Sequence, residues 1–372
     1  MTDAIYKPGL EGVIAGETAV AEVDQTTLRY RGYAIGELAE KTSFEEVAHL
    51  LLYGDLPKSA QLNQFKTALT QLRPLPTQLV QTLRLIPADV PMMDVLRTAV
   101  SLAGHFDPVT GDSPDDLRRR AVWLTALVAG VVAVRFRLLN RKEPLEPKPG
   151  LSHAAQLLYQ SLGEDPDPTA ARLLDLTLTL YAEHEYNAST FATRIVASTL
   201  SDMVSGVVTG IGTLKGPLHG GANEASMAML KQFDSPEQAR KWVYESFEKK
   251  RKIMGFGHRV YKNGDHRAHL LEAELRKLAA QKGQQKWMDI YDAVKEPMVK
   301  EKGIHPNVDY PCGLTYFLLG LPIDMYTPLF VCSRVTGWCA HFIEQFTNNR
   351  LIRPLSRYTG PAPRAVKPIS QR

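Results

Sequence analysis

The sequence predicts an all-α protein of two domains, on three observations. Its 372 residues are 44% hydrophobic, which is enough for a large buried core and, by length, for two domains. Segments with apolar residues at helical spacing recur along the whole chain. Alternating strand patterns bounded by turn pairs are scarce, apart from a short hairpin predicted near Val20 to Tyr30.

Three of the predicted helices carry boundary signals. The stretch SFEEVAHLLLYG has Ser43 as N-cap, Glu46 as its capping-box partner and Gly54 at its end. DPTAARLLDLTLTLYAEHE begins with an Asp-Pro pair that precedes apolar residues at helical spacing. SPEQARKWVYESFEKKRKI opens with Ser-Pro and carries its basic residues late, where the helix dipole favours them. We therefore expect a helix in each stretch.

The most apolar run, AVWLTALVAGVVAV, covers Ala121 to Val134. It is shorter than the roughly 20 residues that a membrane span requires, so it predicts a buried core helix and no membrane contact. The N-terminus MTDAIYKPGL has no apolar segment of the secretory type, and we expect a cytoplasmic protein.

Charge and cysteine content exclude several classes of partner. With 44 basic and 40 acidic residues, the chain is too balanced to predict a nucleic-acid surface, although a local basic patch suits a phosphorylated small molecule. Cys312, Cys332 and Cys339 form no C-x-x-C pair, so neither a disulfide framework nor a cysteine zinc site is favoured. We expect reduced thiols in the core or near a site.

Proline and glycine cluster in three places, at 143–150, 216–223 and 319–328. Between the second and third lies a charged stretch with its own helices, which predicts a smaller domain inserted into a larger one. The predicted boundaries are 1–218 with 324–372 for the large domain and 219–323 for the small one. The proline-rich tail PAPRAVKP predicts an extended arm, either wrapped on a partner subunit or loose.

Four segments concentrate titratable residues among small ones: YAEHEYNASTF, KGPLHGGANEA, KIMGFGHRVYKNGDHR and HPNVDYPCG. None matches a common short motif. GIGTLKG fails the dinucleotide-binding spacing, there is no phosphate-binding loop, and His184 lacks the second histidine of a zinc protease. No metal site is predicted.

Two histidines in these segments are surrounded by glycine: His219 in LHGG and His258 in GFGH. Glycine costs backbone entropy, so this many beside one titratable ring indicate a sharp turn or a close approach of the backbone to another group. A lone histidine is more often structural than catalytic. The combination of His219, His258 and Asp309, which lies between Asn307 and Pro311, points instead to chemistry.

At this combination the sequence resembles the citrate synthase family. The matching stretches run nearly end to end: KPGLEGV, RYRGY, FEEVAHLL, HEYNASTF, GPLHGGANEA, IMGFGHRVY, NVD, TPLF, SRVTGW and NNRLIRP. The resemblance implies an all-α fold of two domains, with a small helical domain inserted near the C-terminal end of a large one. It also implies closure of the small domain over oxaloacetate.

The resemblance implies a catalytic trio. Asp309 would remove a proton from the methyl group of acetyl-CoA, and His219 would donate a hydrogen bond to the thioester oxygen. His258 would polarise and protonate the carbonyl of oxaloacetate. Hydrolysis of the citryl-CoA formed would release CoA. No permanently bound cofactor is implied, since acetyl-CoA is a co-substrate.

The resemblance also implies the binding residues. Oxaloacetate is a dianion, which planar guanidinium groups bind well. Its ligands would be Arg267, Arg334, His184 and, from the other subunit of a homodimer, Arg353. The residues implied for CoA are Lys252, Ile253, Met254, Gly255 and Phe256. The long N-terminal extension of hexameric, NADH-inhibited relatives is not in this sequence, so we expect a homodimer without that regulation.

Three functions stay open at this point. Citrate synthase is preferred, and 2-methylcitrate synthase, which uses propionyl-CoA, is the nearest alternative because one methylene changes binding by about 1–3 kcal/mol. A non-catalytic helical scaffold or CoA-binding protein is the third. Two departures from the family pattern bear on this: His266 stands where proline is usual, and Pro311 and Cys312 alter the wall near the acyl group.

Overall fold

A computed structural model describes residues 6–25, 27–258, 260–261 and 264–372. Sixteen α-helices lie in these ranges, which confirms the all-α prediction. In chain order they are α1 Ile35–Lys41, α2 Phe44–Tyr53, α3 Ser59–Gln71, α4 Thr77–Leu85, α5 Met92–Ala103, α6 Pro114–Leu139, α7 His153–Leu162, α8 Pro168–Tyr181, α9 Ala188–Ser198, α10 Met203–Leu214, α11 Ala222–Leu230, α12 Pro236–Glu248, α13 His266–Gln281, α14 Gln285–Lys302, α15 Asp309–Leu318 and α16 Tyr326–Thr347.

A small antiparallel sheet precedes the helices. Its strands are β1 Ala21–Val23, β2 Leu28–Tyr30 and β3 Tyr33–Ala34, in the order β1-β2-β3. The hairpin predicted from the sequence is confirmed as β1 and β2, and β3 is an addition that the sequence did not predict. Arg31 and Gly32 join β2 to β3 with φ of 48° and 87°, the left-handed backbone that a two-residue hairpin turn needs.

Helix α2 has the boundaries that the sequence predicts. The Ser43 backbone N–H donates to Glu46 Oε2 at 2.8 Å, which completes the capping box. Gly54 ends the helix with a left-handed φ of 96°. The two other helices predicted from boundary signals are also present, as α8 and α12.

Helix α6 is the longest helix described, with 26 residues, and it contains the predicted core run. It begins at Pro114 rather than Ala121, because Ser113 caps it with a hydrogen bond from the Asp116 N–H. By length and composition α6 is therefore able to cross a membrane, contrary to the prediction from the shorter run, but 83% of its apolar window is buried inside the protein. It packs against α16, α7 and α5 as a core helix.

Helix α16 is the second central helix and also contacts α9, α8, α10 and α2. The predicted smaller domain, 219–323, contains α11 to α15. Within it α12 packs on α14, and α15 packs on α11 and α13. Helix α13 also contacts α8 and α1, and α11 contacts α16, so the two predicted parts share a boundary lined by helices. The division into two domains stays a prediction.

All three cysteines are free and buried in the core, as expected for reduced thiols. Burial raises the pKa of Cys332 to about 12, and it also raises the pKa of Cys312 and of Cys339. Their sulfurs are therefore protonated at neutral pH.

Candidate active site

Two loops are tied together at the start of α15. Asn307 joins them: its N–H donates to Gly255 O at 3.0 Å and its side-chain amide donates to Gly257 O at 3.0 Å. The amide oxygen of Asn307 accepts the Asp309 N–H at 3.1 Å. Gly255 has a φ of 84°, and a Cβ there would lie 2.9 Å from the Tyr310 side chain. This close packing brings the segment of His258 to the segment of Asp309.

The Asp309 carboxylate lies half-buried at the first residue of α15. The Tyr181 hydroxyl, at the end of α8, donates to its Oδ1 at 2.6 Å. Burial raises the pKa of Asp309 to about 6, although the Tyr181 hydrogen bond and the nearby Arg267 charge act to lower it. A carboxylate with this pKa is a stronger base than a solvated one and is still ionised at neutral pH.

His258 has a defined ring orientation. Its Nδ1 accepts the backbone N–H groups of Val260 and Tyr261, each at 3.1 Å. Because Nδ1 accepts, Nε2 carries the proton and is a donor. The ring stacks on Tyr261 at 4.4 Å between centroids and meets His184 edge-on at 5.2 Å.

His184 follows the end of α8 and faces His258. Its Nε2 lies 3.1 Å from the Tyr261 hydroxyl. Burial lowers the pKa of His184 well below its usual value, and the positive charge of Arg267 lowers it further. His184 is therefore neutral at physiological pH.

His219 lies in the turn before α11. Its Nε2 accepts the Ser189 backbone N–H at 3.3 Å and lies 2.9 Å from the Ser189 hydroxyl. A backbone N–H donates only, so Nε2 is an acceptor and the proton is on Nδ1. Burial, with a smaller effect from Arg334, lowers the pKa of His219 to about 4. The ring is thus a neutral donor through Nδ1.

One of the glycines beside His219 is explained by packing. A Cβ at Gly220 would collide with the carbonyl oxygen of Leu214 at the end of α10. The neighbouring Gly221 has no atom within 4 Å of such a Cβ. Gly220 therefore lets the chain pass close to α10, whereas Gly221 borders open space.

Two of the three predicted arginines, Arg267 and Arg334, differ in their partners. Arg267 forms a bidentate pair with Asp265, with Nε–Oδ1 at 3.0 Å and Nη2–Oδ2 at 2.8 Å. Arg334 is 2% exposed, donates from Nε to Tyr181 O at 2.7 Å, and makes no ion pair with any residue that the structure describes. Burial lowers the pKa of Arg334. Burying a cation without an ion-pair partner costs free energy, which a bound anion would offset.

The other predicted binding residues lie at different depths. Of the residues predicted for CoA, Lys252 is exposed, Ile253 and Gly255 are buried, and Phe256 packs on Tyr310 with ring centroids 4.5 Å apart. Met254 is partly buried. They lead directly into His258.

Within one chain, Arg353 does not line the candidate active site. It is exposed, after the end of α16, and lines a separate groove of about 950 Å³. The groove is formed with the N-terminal segment and α9. A role for Arg353 in a partner subunit stays a prediction.

Sequence reasoning missed several residues of the site. Tyr181, Ser189 and Tyr261 contact the predicted histidines and Asp309 directly. Asp265 is fully buried and accepts the Val308 N–H at 3.1 Å as well as the Arg267 guanidinium, so it fixes both predicted segments. In the sequence, the position of Asp265 two residues before Arg267 could have indicated this ion pair. Among the described residues, no group of three or more His, Cys, Asp and Glu side chains is arranged to hold a metal ion.

Known proteins resemble this chain in sequence and in fold. Residues 9–355 match the family model described as citrate synthase, C-terminal domain. The 2-methylcitrate synthase 1 of Corynebacterium glutamicum is 44% identical over 100% of both chains, and citrate synthase 2 of Bacillus subtilis is 41% identical over 98% of both. The citrate synthase of Thermoplasma acidophilum, solved with carboxymethyl-CoA and oxaloacetate, superposes with a TM-score of 0.92 at 34% identity, covering 98% of this chain and 99% of that one.

The family match and these relatives show that the chain is an enzyme of the acyltransferase class. More narrowly, the chain belongs to the citrate synthase family. Enzymes of this family convert the acyl group to an alkyl group on transfer, and they use CoA derivatives as substrates without a permanently bound cofactor.

Proposed function

We propose that this enzyme condenses an acyl-CoA with oxaloacetate and hydrolyses the resulting thioester to release CoA. The observation that carries the proposal is the Asp309 carboxylate, whose pKa of about 6 suits a base. The charge of Arg334, which has no ion-pair partner among the described residues, acts on this carboxylate and also on the neutral His219 and His184. The Thermoplasma relative was solved with carboxymethyl-CoA and oxaloacetate, which supports a CoA thioester and oxaloacetate as the substrates here.

Asp309 is proposed to start the reaction by taking a proton from the carbon next to the thioester carbonyl. His219 donates its Nδ1 proton in a hydrogen bond to the thioester oxygen, where negative charge develops. Such a preorganised donor contributes about a hundredfold or more to the rate. The low pKa of His219 suits this role as a hydrogen-bond donor. An imidazole with a low pKa is a weak base, so it leaves the substrate proton to Asp309.

The second substrate is proposed to lie against His258. The Nε2 proton of His258 points away from the two backbone donors on Nδ1, and it protonates the oxaloacetate carbonyl oxygen as the carbon–carbon bond forms. Arg334 and Arg267 bind the two carboxylates, and His184 adds a hydrogen bond. Water then attacks the thioester, which gives the tricarboxylic acid and CoA.

The acyl group is the finer part of the proposal. We propose citrate synthase activity with acetyl-CoA. The second candidate is 2-methylcitrate synthase activity with propionyl-CoA, favoured by the 44% identity to the Corynebacterium enzyme of that name. One methylene is worth about 1–3 kcal/mol in an apolar pocket, so one site serves both substrates with different efficiency.

Measuring thiol release tests both the proposed reaction and the identity of the acyl group. We expect oxaloacetate-dependent release of CoA from acetyl-CoA, from propionyl-CoA or from both, and a mass of citrate or 2-methylcitrate in the product. The ratio of kcat/KM for the two thioesters decides between the candidates. A higher value for propionyl-CoA overturns the first. No oxaloacetate-dependent release from either leaves the non-catalytic alternative.

The assembly and location are part of the same proposal. A homodimer would place Arg353 of each subunit at the site of the other, which agrees with its exposed position. Sedimentation equilibrium checks the mass, and activity restored by mixing Arg353→Ala with Asp309→Ala protein would show that the site is shared. The cytoplasmic location and closure of the small domain stay predictions; small-angle scattering with and without oxaloacetate tests closure.

A further inference from the structure

A chain of buried hydrogen bonds runs from α9 through α16 to the backbone of His184. Arg194 on α9 donates from Nη1 to His341 Nδ1 at 3.0 Å. On the opposite side of the ring, His341 Nε2 lies 3.1 Å from Glu183 Oε1, and the same oxygen accepts the His184 N–H at 2.7 Å. Glu183 and His341 are both 0% exposed, and Arg194 is 4% exposed.

The direction of these bonds is fixed by their chemistry. A guanidinium group donates only, so His341 Nδ1 accepts and Nε2 donates to Glu183. Arg194 is itself held by Glu344 Oε2 at 2.6 Å and Gln345 Oε1 at 3.0 Å. This row of hydrogen bonds is thus anchored at Arg194 and ends at the backbone amide of His184, in the candidate active site.

Helix α16 connects this row of hydrogen bonds to Arg334, which is proposed to bind oxaloacetate. Arg334, Gly337 and His341 are spaced three and four residues apart, so they lie along one side of the helix. A Cβ at Gly337 would collide with the Glu183 carboxylate and with Ala182 O, so glycine is required for α16 to approach the loop. The negative charge of Glu183 also raises the pKa of the neighbouring Arg334, against the larger effect of burial.

The loop that these hydrogen bonds hold, 183–185, has a strained backbone. Glu185, next to His184, has a φ of 52°, in the left-handed region that few residues other than glycine adopt. The Tyr30 hydroxyl donates to Glu183 O at 3.0 Å and supports the loop from β2. Such a backbone persists where surrounding contacts determine it.

We propose that Glu183 and His341 are positioning residues that fix His184 for oxaloacetate. They touch neither substrate and act through the His184 backbone and the α16 face that carries Arg334. The proposal rests on the proposed function for its kinetic readout. It assigns to this pair the affinity for the oxaloacetate side of the reaction, not the proton transfers.

Two substitutions at His341 separate its two bonds. His341→Asn keeps an acceptor near Nδ1 for Arg194 and loses the donor to Glu183, whereas His341→Gln keeps a donor that reaches Glu183. We expect His341→Asn to raise the KM for oxaloacetate about tenfold with kcat within about twofold of the parent, and His341→Gln to raise it less, because small misplacements of binding groups have effects of this size or larger.

A matched control is available in His49, which is 6% exposed and whose Nδ1 lies 3.0 Å from Asp55 O. His49→Asn should lower the melting temperature as His341→Asn does and leave the oxaloacetate KM unchanged. An equal KM for His341→Asn and His49→Asn, or a fall in kcat with unchanged KM, overturns the proposal.

An NMR measurement makes the result independent of turnover. The His184 backbone amide resonance should move in His341→Asn and stay in place in His49→Asn. An unmoved His184 amide contradicts the positioning role even if the enzyme is active. Absence of thiol release from the unmodified protein contradicts the proposed function instead, so the two failures are distinguishable.

Discussion

Asp309 and Asp175 are two carboxylates of the same protein whose pKa burial raises, to about 6 and about 7, and they have different surroundings. Asp175, on α8, is 6% exposed and accepts the Phe44 N–H at the start of α2 with both oxygens at 3.1 Å. Asp309 is half-buried and accepts a tyrosine hydroxyl.

The difference between them teaches that a raised pKa alone does not define a site. Asp175 accepts the N–H at the start of α2, and three charges act on its carboxyl: the buried Glu45 raises its pKa, and the exposed Arg172 and the half-buried Lys66 lower it. Around Asp309, two arginine charges act on the carboxyl, and one of them, Arg334, has no ion-pair partner in the described part of the chain. A base becomes useful where binding groups for the substrate lie beside it.

The largest effect is expected from Asp309→Ala. It removes the proposed base, so kcat should fall by about a thousandfold or more, since general base catalysis and positioning act together here. The melting temperature should not fall, because burial disfavours the Asp309 anion. Thiol release and thermal unfolding measure both. Asp175→Asn is the matched control, expected to keep full activity; loss of activity there would remove the contrast.

The next largest effect is expected from Arg334→Gln. Loss of the unpaired guanidinium should raise the oxaloacetate KM about a hundredfold, in line with about 1.5–3 kcal/mol for a charge-assisted hydrogen bond. Stability should be unchanged or higher, because the cation is buried without an ion-pair partner. Steady-state kinetics and a melting curve test the pair of outcomes, and a large loss of stability with unchanged KM would assign Arg334 to the fold.

A smaller effect is expected from Tyr181→Phe. The unmodified enzyme should lose kcat/KM as pH falls through about 6, because Asp309 must be ionised to accept a proton. Since the Tyr181 hydrogen bond lowers the pKa of Asp309, its removal should move this acidic limb to higher pH and reduce activity several-fold at neutral pH. A pH profile of kcat/KM measures the shift. A limb at unchanged pH would exclude Asp309 as the titrating group.

The smallest effect concerns Asp175 and stability. Its folded pKa, about 7, lies above its unfolded value, so its contribution is fully present below about pH 4 and is lost as pH rises through about 7. Asp175→Asn should therefore lose less melting temperature than the parent between pH 5 and 8, by a few degrees. Parallel melting curves at the two pH values provide the test, and identical slopes would contradict the raised pKa.

The parts of the fold that local chemistry determines were predictable from the sequence. The capping box of α2 and the core run in α6 depend on residues within a few positions of each other. The start of α6 was not predicted, although Ser113 and Pro114 form the same kind of boundary signal that predicts α12. Strand β3 was not predicted because a two-residue strand carries too little pattern.

The site divides in the same way. The glycine-flanked histidines and the NVD stretch were visible, and their convergence was expected only from the family resemblance. Tyr181 reaches Asp309 across 128 residues of chain, and His341 reaches Glu183 across 158. Such contacts are created by packing of α8, α15 and α16, so no local pattern in the sequence indicates them.

The three core cysteines have a practical consequence for work with this enzyme. Thiolate is the form that attacks disulfides and electrophiles, and all three sulfurs are buried with a raised pKa. The cysteines of the folded protein should therefore be inert to aromatic disulfide dyes. Any colour that such a dye develops during turnover would then report CoA leaving the enzyme, without a background from the protein.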